Sequence, residues 1–346
     1  MAVSDHQLIQ AWTDVLTLSK LEKGQTVTVL TSAATNEQNK RCAITAAQLM
    51  GAIVNCLDLP PVNAEKALSR DPLAYLGTTP ITGNPPAIAM LKSSDMVLDL
   101  MTLLFSPEQG EILKAGTKIL LAVEPPEILV RTVPTAEDRE RVLKAAAKIE
   151  QAKVMKITSA AGTDLYCPIG EYPAISEYGF VDEKGRWDHW PSGFVLTWPN
   201  EGKATGTIVI DKGDILIPPK KYVREPITIT VENGFATKID GGLDAELLYE
   251  YMLQFNDPEG FAISHIGWGL QPRAHWTTLD QYDKEQTIAM DARAFEGNFL
   301  FSLGPNNEAG GDRTTACHID IPLRNCNVYL DDECVVEKGR VLDRQE

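Results

Sequence analysis

The chain has 346 residues, of which 44% are apolar and 23% charged, with 32 Lys and Arg against 48 Asp and Glu for a net charge of −16. That length suits two domains with ordinary buried cores. The acidic balance argues against nucleic acid or an anionic membrane surface as a partner.

The N-terminus, "MAVSDHQLIQAWTDVLTLSKLEKG", alternates polar and apolar residues at helical spacing. It lacks a basic stretch followed by an apolar one, so it reads as a helix and not as a signal peptide. "QTVTVLT" (25–31), "GAIVNCLDL" (51–59), "DMVLDL" (95–100) and "TKILLAV" (117–123) are apolar runs of strand length separated by amphipathic segments. This alternation predicts a parallel sheet with helices on both faces over residues 1–152. The turn after the first strand, "TSAATNEQ", has no glycine-rich fingerprint, which argues against a dinucleotide or P-loop site. In "LLFSPEQGE", Ser106 with Pro107 and Gln109 reads as a helix N-cap with a capping box. Loops at the carboxyl ends of parallel strands also face the ligand crevice, so Leu104, Phe105 and Ser106 are candidate substrate contacts.

A helix is expected from near Thr135, and the domain boundary near 150–155. From there to 346 the chain is strand-rich, an α+β domain with many Gly and Pro turns. "GTIVIDKGDILIPP" and "ITITVENGFATKIDGG" read as antiparallel hairpins, the second turning at Asn233–Gly234. One helix, "LDAELLYEYMLQF", interrupts them. No apolar run reaches about 18 residues, so no segment is expected to span a membrane. None of the six cysteines forms a CxxC pair, and a chain this long needs no disulfide staples; reduced thiols in a cytoplasm are the expectation.

The chemistry concentrates in the second half. Of five histidines, His6 belongs to a polar helix and His275 to a loop, both read as surface residues. His265 lies in the middle of the apolar "GFAISHIGWGL". A lone buried histidine is ordinarily a satisfied core residue, but "ACHIDIPLRN" supplies a second, His318, two positions from Asp320. Residues i and i+2 of a strand share a face, roughly 6.5–7 Å apart, so imidazole and carboxylate would project side by side. Two histidines and one carboxylate form the facial ligand set of mononuclear non-haem Fe(II) centres; zinc and manganese use the same atoms. Glu177, in "PAISEYGFV", must be paired, protonated or metal-bound if buried. His189, between Trp187 and Trp190, suits a general acid/base, with aromatic packing as the alternative. The Gly- and Asn-rich "SLGPNNEAGGDRTT" suits close backbone approach to a ligand or is only a long turn, with Ser302 at its rim.

"ISEYGF", "FAISHIGWG", "FLFSLGPNNEAGG" and "ACHIDIPLRNCNVYLDD" occur in an order and spacing that resemble the metallo-aminopeptidases of the aminopeptidase T type. They are most similar to the oxygenase relatives of those enzymes, the 2,5-dihydroxypyridine 5,6-dioxygenase family of bacterial nicotinate and nicotine breakdown. The similarity runs along the whole chain and is strongest from about 160 to 335. Two departures separate this chain from the peptidases. His265 stands where they carry a glutamate, and Leu300 stands where they carry a histidine. A second metal would lose its ligands, leaving a single site. The resemblance therefore implies Fe(II) held by His265, His318 and Asp320. It implies opening of 2,5-dihydroxypyridine by O₂ to N-formylmaleamate. Glu177 would be a fourth ligand or a substrate anchor, His189 would exchange a proton with a ring hydroxyl, and Ser302 with Leu104–Ser106 would line the pocket. A homo-oligomer is implied as well. The competing expectations are a metal-dependent aminopeptidase and a non-catalytic binding protein.

Overall fold

The computed structural model describes residues 2–60, 79–103 and 106–343. The chain forms two compact units, each assembled from separate stretches: Met1–Ala136, Glu177–Ser192 and Asp280–Asp291 in the first, and Glu137–Ser176, Gly193–Leu279 and Ala292–Glu346 in the second.

The first unit is built on a parallel sheet in the order Ile53–Leu59, Thr26–Ser32, Met96–Asp99, Lys118–Leu121, Trp187–His189. The four strands expected from the sequence are present, and the helices Glu37–Leu49, Pro85–Lys92 and Pro107–Lys114 lie between them in the chain. Val27, Val29, Leu30, Val97, Leu98, Ile119 and Leu120 are fully buried, as the central strands of a parallel sheet should be. The N-terminal helix Asp5–Leu18 starts on a Ser4/Gln7 capping box and ties Trp12 Nε1 to Asn39 Oδ1 at 2.8 Å.

The turn at the carboxyl end of Met96–Asp99 is held by the buried Asp99. Its carboxylate accepts backbone N–H bonds from Met101, Thr102 and Leu103 at 3.0, 2.9 and 2.7 Å, with Thr102 at φ +69°. Burial pushes the Asp99 carboxyl up to about 6, against the three N–H donors that favour its charged form.

The second unit carries an eight-stranded antiparallel sheet and a five-stranded sheet in the order Ile319–Leu323, Phe299–Leu303, Ile263–Gly269, Phe194–Thr197, Ile175–Glu177. The hairpin at Asn233–Gly234 is present, with both residues at positive φ, as a tight two-residue turn requires. "GTIVIDKGDILIPP" behaves differently from the expectation. Thr205–Ile210 pairs with Ile227–Glu232 and Asp164–Pro168, whereas Ile215–Leu216 pairs with Lys221–Tyr222. The buried Asp214 redirects the chain here by accepting from the backbone N–H groups of Asp211 and Arg324, at 2.8 and 3.0 Å. All six cysteines are free, and among the described residues no helix is long and apolar enough to cross a membrane.

Candidate metal centre

Three adjacent strands of the five-stranded sheet build the site. His265 belongs to Ile263–Gly269, Ser302 to Phe299–Leu303 and Asp320 to Ile319–Leu323, with His318 just before the last strand. The register between the first two slips: Ile263 faces Leu303 and Ile266 faces Phe301, so Ser264 and His265 together oppose Ser302. Such a bulge re-aims a side chain, here the imidazole of His265. Ser302 faces Asp320 directly in the next pair.

His265 Nε2 lies 3.1 Å and His318 Nε2 3.2 Å from Asp320 Oδ1. All three residues are buried. Among the described residues they form a cluster whose ligand atoms fall within 4.8 Å of one another. Atoms bound at right angles to one divalent ion, each about 2.1 Å away, stand about 3 Å apart. The donor set and its spacing thus fit a single divalent cation bound through one face. Burial alone would raise the Asp320 carboxyl. The charges of His318 and Arg293 and the hydrogen bonds from both histidines override it and hold Asp320 well below the usual carboxylate range. The guanidinium of Arg293, donating from Nε to Asp320 Oδ2 at 2.6 Å, favours the charged carboxylate that a ligand must present.

The surroundings fix these side chains in place. Trp198 meets the His265 ring edge-on at 5.6 Å between centroids and donates from Nε1 to the Pro305 carbonyl at 3.2 Å. Ser302 Oγ donates to the His265 carbonyl at 2.7 Å, so this expected rim residue packs beneath a ligand strand. The loop before His318 is fastened by the buried Arg313. Its guanidinium donates to Gly304 O at 2.7 Å, Ile263 O at 2.8 Å and Glu201 Oε1 at 2.7 Å. Leu300 lies in an apolar cluster with Phe194, Leu196, Ala294 and Phe295. Neither Arg313 nor Arg293 was marked by spacing; the one available signal was an arginine in a segment of small and apolar residues.

His189 and Glu177 meet in the first unit. His189 Nε2 is 3.0 Å from Glu177 Oε2, and Nδ1 faces the Pro191 carbonyl. With an acceptor at each ring nitrogen, the pair must carry a proton between them. Burial disfavours the imidazolium, but Glu177, Asp188 and the Pro191 carbonyl outweigh it and raise the His189 pKa. The backbone beneath is set by Asp188, which accepts from His189 N at 2.8 Å, Tyr178 N at 2.9 Å and Arg186 Nη2 at 2.7 Å. His6 and His275 are exposed. Ser106 is a buried N-cap that accepts from Gln109 N at 3.1 Å, while Leu104 and Phe105 lie outside the described residues.

Comparison with known proteins follows the same lines. The profile of the 2,5-dihydroxypyridine 5,6-dioxygenase family matches residues 7–343. A protein of that name from Pseudomonas putida KT2440 is 53% identical over 100% of this chain and 99% of its own. The structure of 2,5-dihydroxypyridine dioxygenase from the same organism superposes with a TM-score of 0.95 over 99% of both chains, at 53% identity. Wild-type AmpT from Thermus thermophilus superposes at 0.62 over 97% of this chain and 99% of its own, with 15% identity, a likeness of fold alone.

Proposed function

Because the chain belongs to the 2,5-dihydroxypyridine 5,6-dioxygenase family, we propose that it opens 2,5-dihydroxypyridine with O₂ between C5 and C6, giving N-formylmaleamate. Both oxygen atoms enter the product, so the reaction needs no external reductant. The observation that supports this most is the His265–His318–Asp320 cluster, three buried residues whose ligand atoms lie within 4.8 Å of one another. We assign Fe(II) to it; His265, His318 and Asp320 would hold the ion, which would supply a redox-active centre for the reaction with O₂. The chain supplies the rest. Asp320 brings the single negative charge of the ligand set. The strand bulge and Ser302 aim His265. The His189–Glu177 pair holds one proton at Nε2 and exchanges it with a ring hydroxyl, whose deprotonation makes the ring electron-rich. Ser106, with Leu104 and Phe105, is assigned to the pocket wall. The free thiols suit a reducing cytoplasm, where we place the protein. We also propose assembly as a homo-oligomer, which light scattering checks.

The test is oxygen uptake by anaerobically Fe(II)-loaded protein on adding 2,5-dihydroxypyridine. One O₂ per ring, abolished in His318→Ala, is the expected result. No uptake together with metal-dependent release of leucine from a peptide would overturn the reading in favour of the hydrolase. His189→Gln is expected to keep its iron and lose rate.

A further inference from the structure

His189 and Glu177 belong to one stretch of the first unit, and a single buried side chain ties the backbone at both. Trp187–His189 is the last strand of the parallel sheet among the described residues. Alternate N–H groups of a strand point to opposite sides. That of Trp190 bonds the Leu121 carbonyl at 2.8 Å, so that of His189 points outward, where no strand of the sheet receives it. The Asp188 carboxylate receives it instead, at Oδ1 and 2.8 Å. The other oxygen, Oδ2, accepts from the N–H of Tyr178, the residue after Glu177, at 2.9 Å, and from Arg186 Nη2 at 2.7 Å. The Arg186 guanidinium lies 3.7 Å over the Tyr178 ring and donates from Nε to the Phe180 carbonyl at 3.3 Å. Tyr178 OH in turn donates to Asp182 Oδ1 at 2.7 Å. The Asp188 carboxylate, its guanidinium counter-charge and the turn after Glu177 thus form one hydrogen-bonded block. Glu177, Asp188 and His189 are all buried, so bulk water does not replace a bond lost there.

We infer that Asp188 is a positioning residue that holds the His189 imidazole and the Glu177 carboxylate at the separation over which they share a proton. The inference rests on the reading of that pair as the proton-exchanging group. His189 Nε2 and Glu177 Oε2 stand 3.0 Å apart, inside the range of about 2.6–3.2 Å that proton transfer requires. Each side chain is carried on a backbone segment that Asp188 fastens, one through Oδ1 and the other through Oδ2. Loss of either bond frees one segment to move against the other, and a displacement of about 1 Å costs about 100-fold in rate. Asp188 therefore acts through His189 and Glu177 and takes no part in the proton exchange itself.

The experiment is a double-mutant cycle on full-length, Fe(II)-loaded protein with 2,5-dihydroxypyridine. Asp188→Asn keeps the size of the side chain but only one of its two acceptors. It is expected to lower kcat about 10–100-fold with KM within about twofold of the wild type. In a His189→Gln background the same substitution should cost less than about twofold, because the pair it positions is already gone. Rates are read in single turnover with enzyme in excess, which extends the measurement to slow variants. An equal loss in both backgrounds would overturn the inference, since a merely structural ion pair with Arg186 serves the fold whether or not His189 is present. An Asp188→Asn protein as fast as the wild type would overturn it too. Should Asp188→Asn fail to fold, Asp188→Glu decides by the same cycle. It keeps both acceptors and the charge facing Arg186 but sets them one methylene further out. A rate loss seen only where His189 is present supports the inference, and a wild-type rate overturns it. Should His189→Gln show no readable rate, the single variant decides: a fall in kcat with KM held supports the inference, and a rise in KM with kcat unchanged overturns it. A His189→Gln protein as fast as the wild type would be a different result, overturning the proton-exchange reading and this inference with it.

Discussion

Gly304 joins the strand Phe299–Leu303 to the loop that returns as His318, and its replacement by alanine tests whether the ligand geometry depends on that close approach. A Cβ at Gly304 would sit 2.1 Å from the Cys317 carbonyl oxygen and 3.1 Å from His318 Cα, with φ at +122°. The first distance is more than about 1 Å short of an ordinary contact. The backbone of Cys317 and His318 must therefore retreat by a distance of that order, whereas a working metal site tolerates about 0.2 Å in its ligand distances. Backbone strain at such a φ costs about 1–3 kcal/mol, and overpacking adds about 1–3 kcal/mol. Urea unfolding of Gly304→Ala should thus show a loss of about 2–6 kcal/mol, and Fe(II) affinity, read by competition with a chromophoric chelator, should fall at least about tenfold. Gly310→Ala is the control. Gly310 lies in the same loop at φ +90°, and a Cβ there would meet nothing within 4 Å, so it bears strain without collision and should keep its iron affinity. A folded Gly304→Ala protein that binds iron as the wild type does would refute the reasoning.

Removing the metal should destabilise the protein: if free Fe(II) stands at 100 times its Kd, chelation withdraws about 2.7 kcal/mol. The midpoint of thermal unfolding should fall accordingly in the wild type and hardly move in Asp320→Asn. The raised pKa of His189 makes its stabilising contribution complete below the unfolded value near 6.5 and lost as pH rises through the higher folded value. The stability gap between wild type and His189→Gln should accordingly be widest in mild acid and narrow toward alkaline pH; a gap independent of pH would contradict the assignment. In Asp99→Asn, the amide nitrogen cannot accept from Leu103 N, which now bonds Oδ2 at 2.7 Å. Orphaning that buried N–H should cost about 1–3 kcal/mol in denaturant unfolding.

What could be read from the sequence depended on how locally each feature is encoded. The four parallel strands are continuous apolar runs bounded by turns, and the Asn233–Gly234 hairpin is written in two adjacent residues that tolerate positive φ. His318 and Asp320 follow from the two-residue repeat of a strand. His265 is another matter. Its membership was legible from a histidine in an apolar run, but its aim toward Asp320 comes from a bulge opposite Ser302, and a register slip leaves no mark in the order of residues. The DKGD segment misled because glycine and aspartate signal a turn without naming the strand that will pair afterwards; the pairing was decided by Asp214 binding Arg324, 110 residues away. Arg293 and Arg313 were invisible for the same reason. Each acts on a residue outside its own segment, Arg293 on Asp320, 27 residues away, and Arg313 on Ile263, 50 residues away. The stretches Glu177–Ser192 and Asp280–Asp291 return to the first unit through strand addition and side-chain contacts that periodicity does not record. The candidate ligands of this centre are therefore local signals, and the groups that hold them in register are not. That division explains why substituting Arg293, Ser302 or Gly304 should reveal more about this site than replacing another of its ligands.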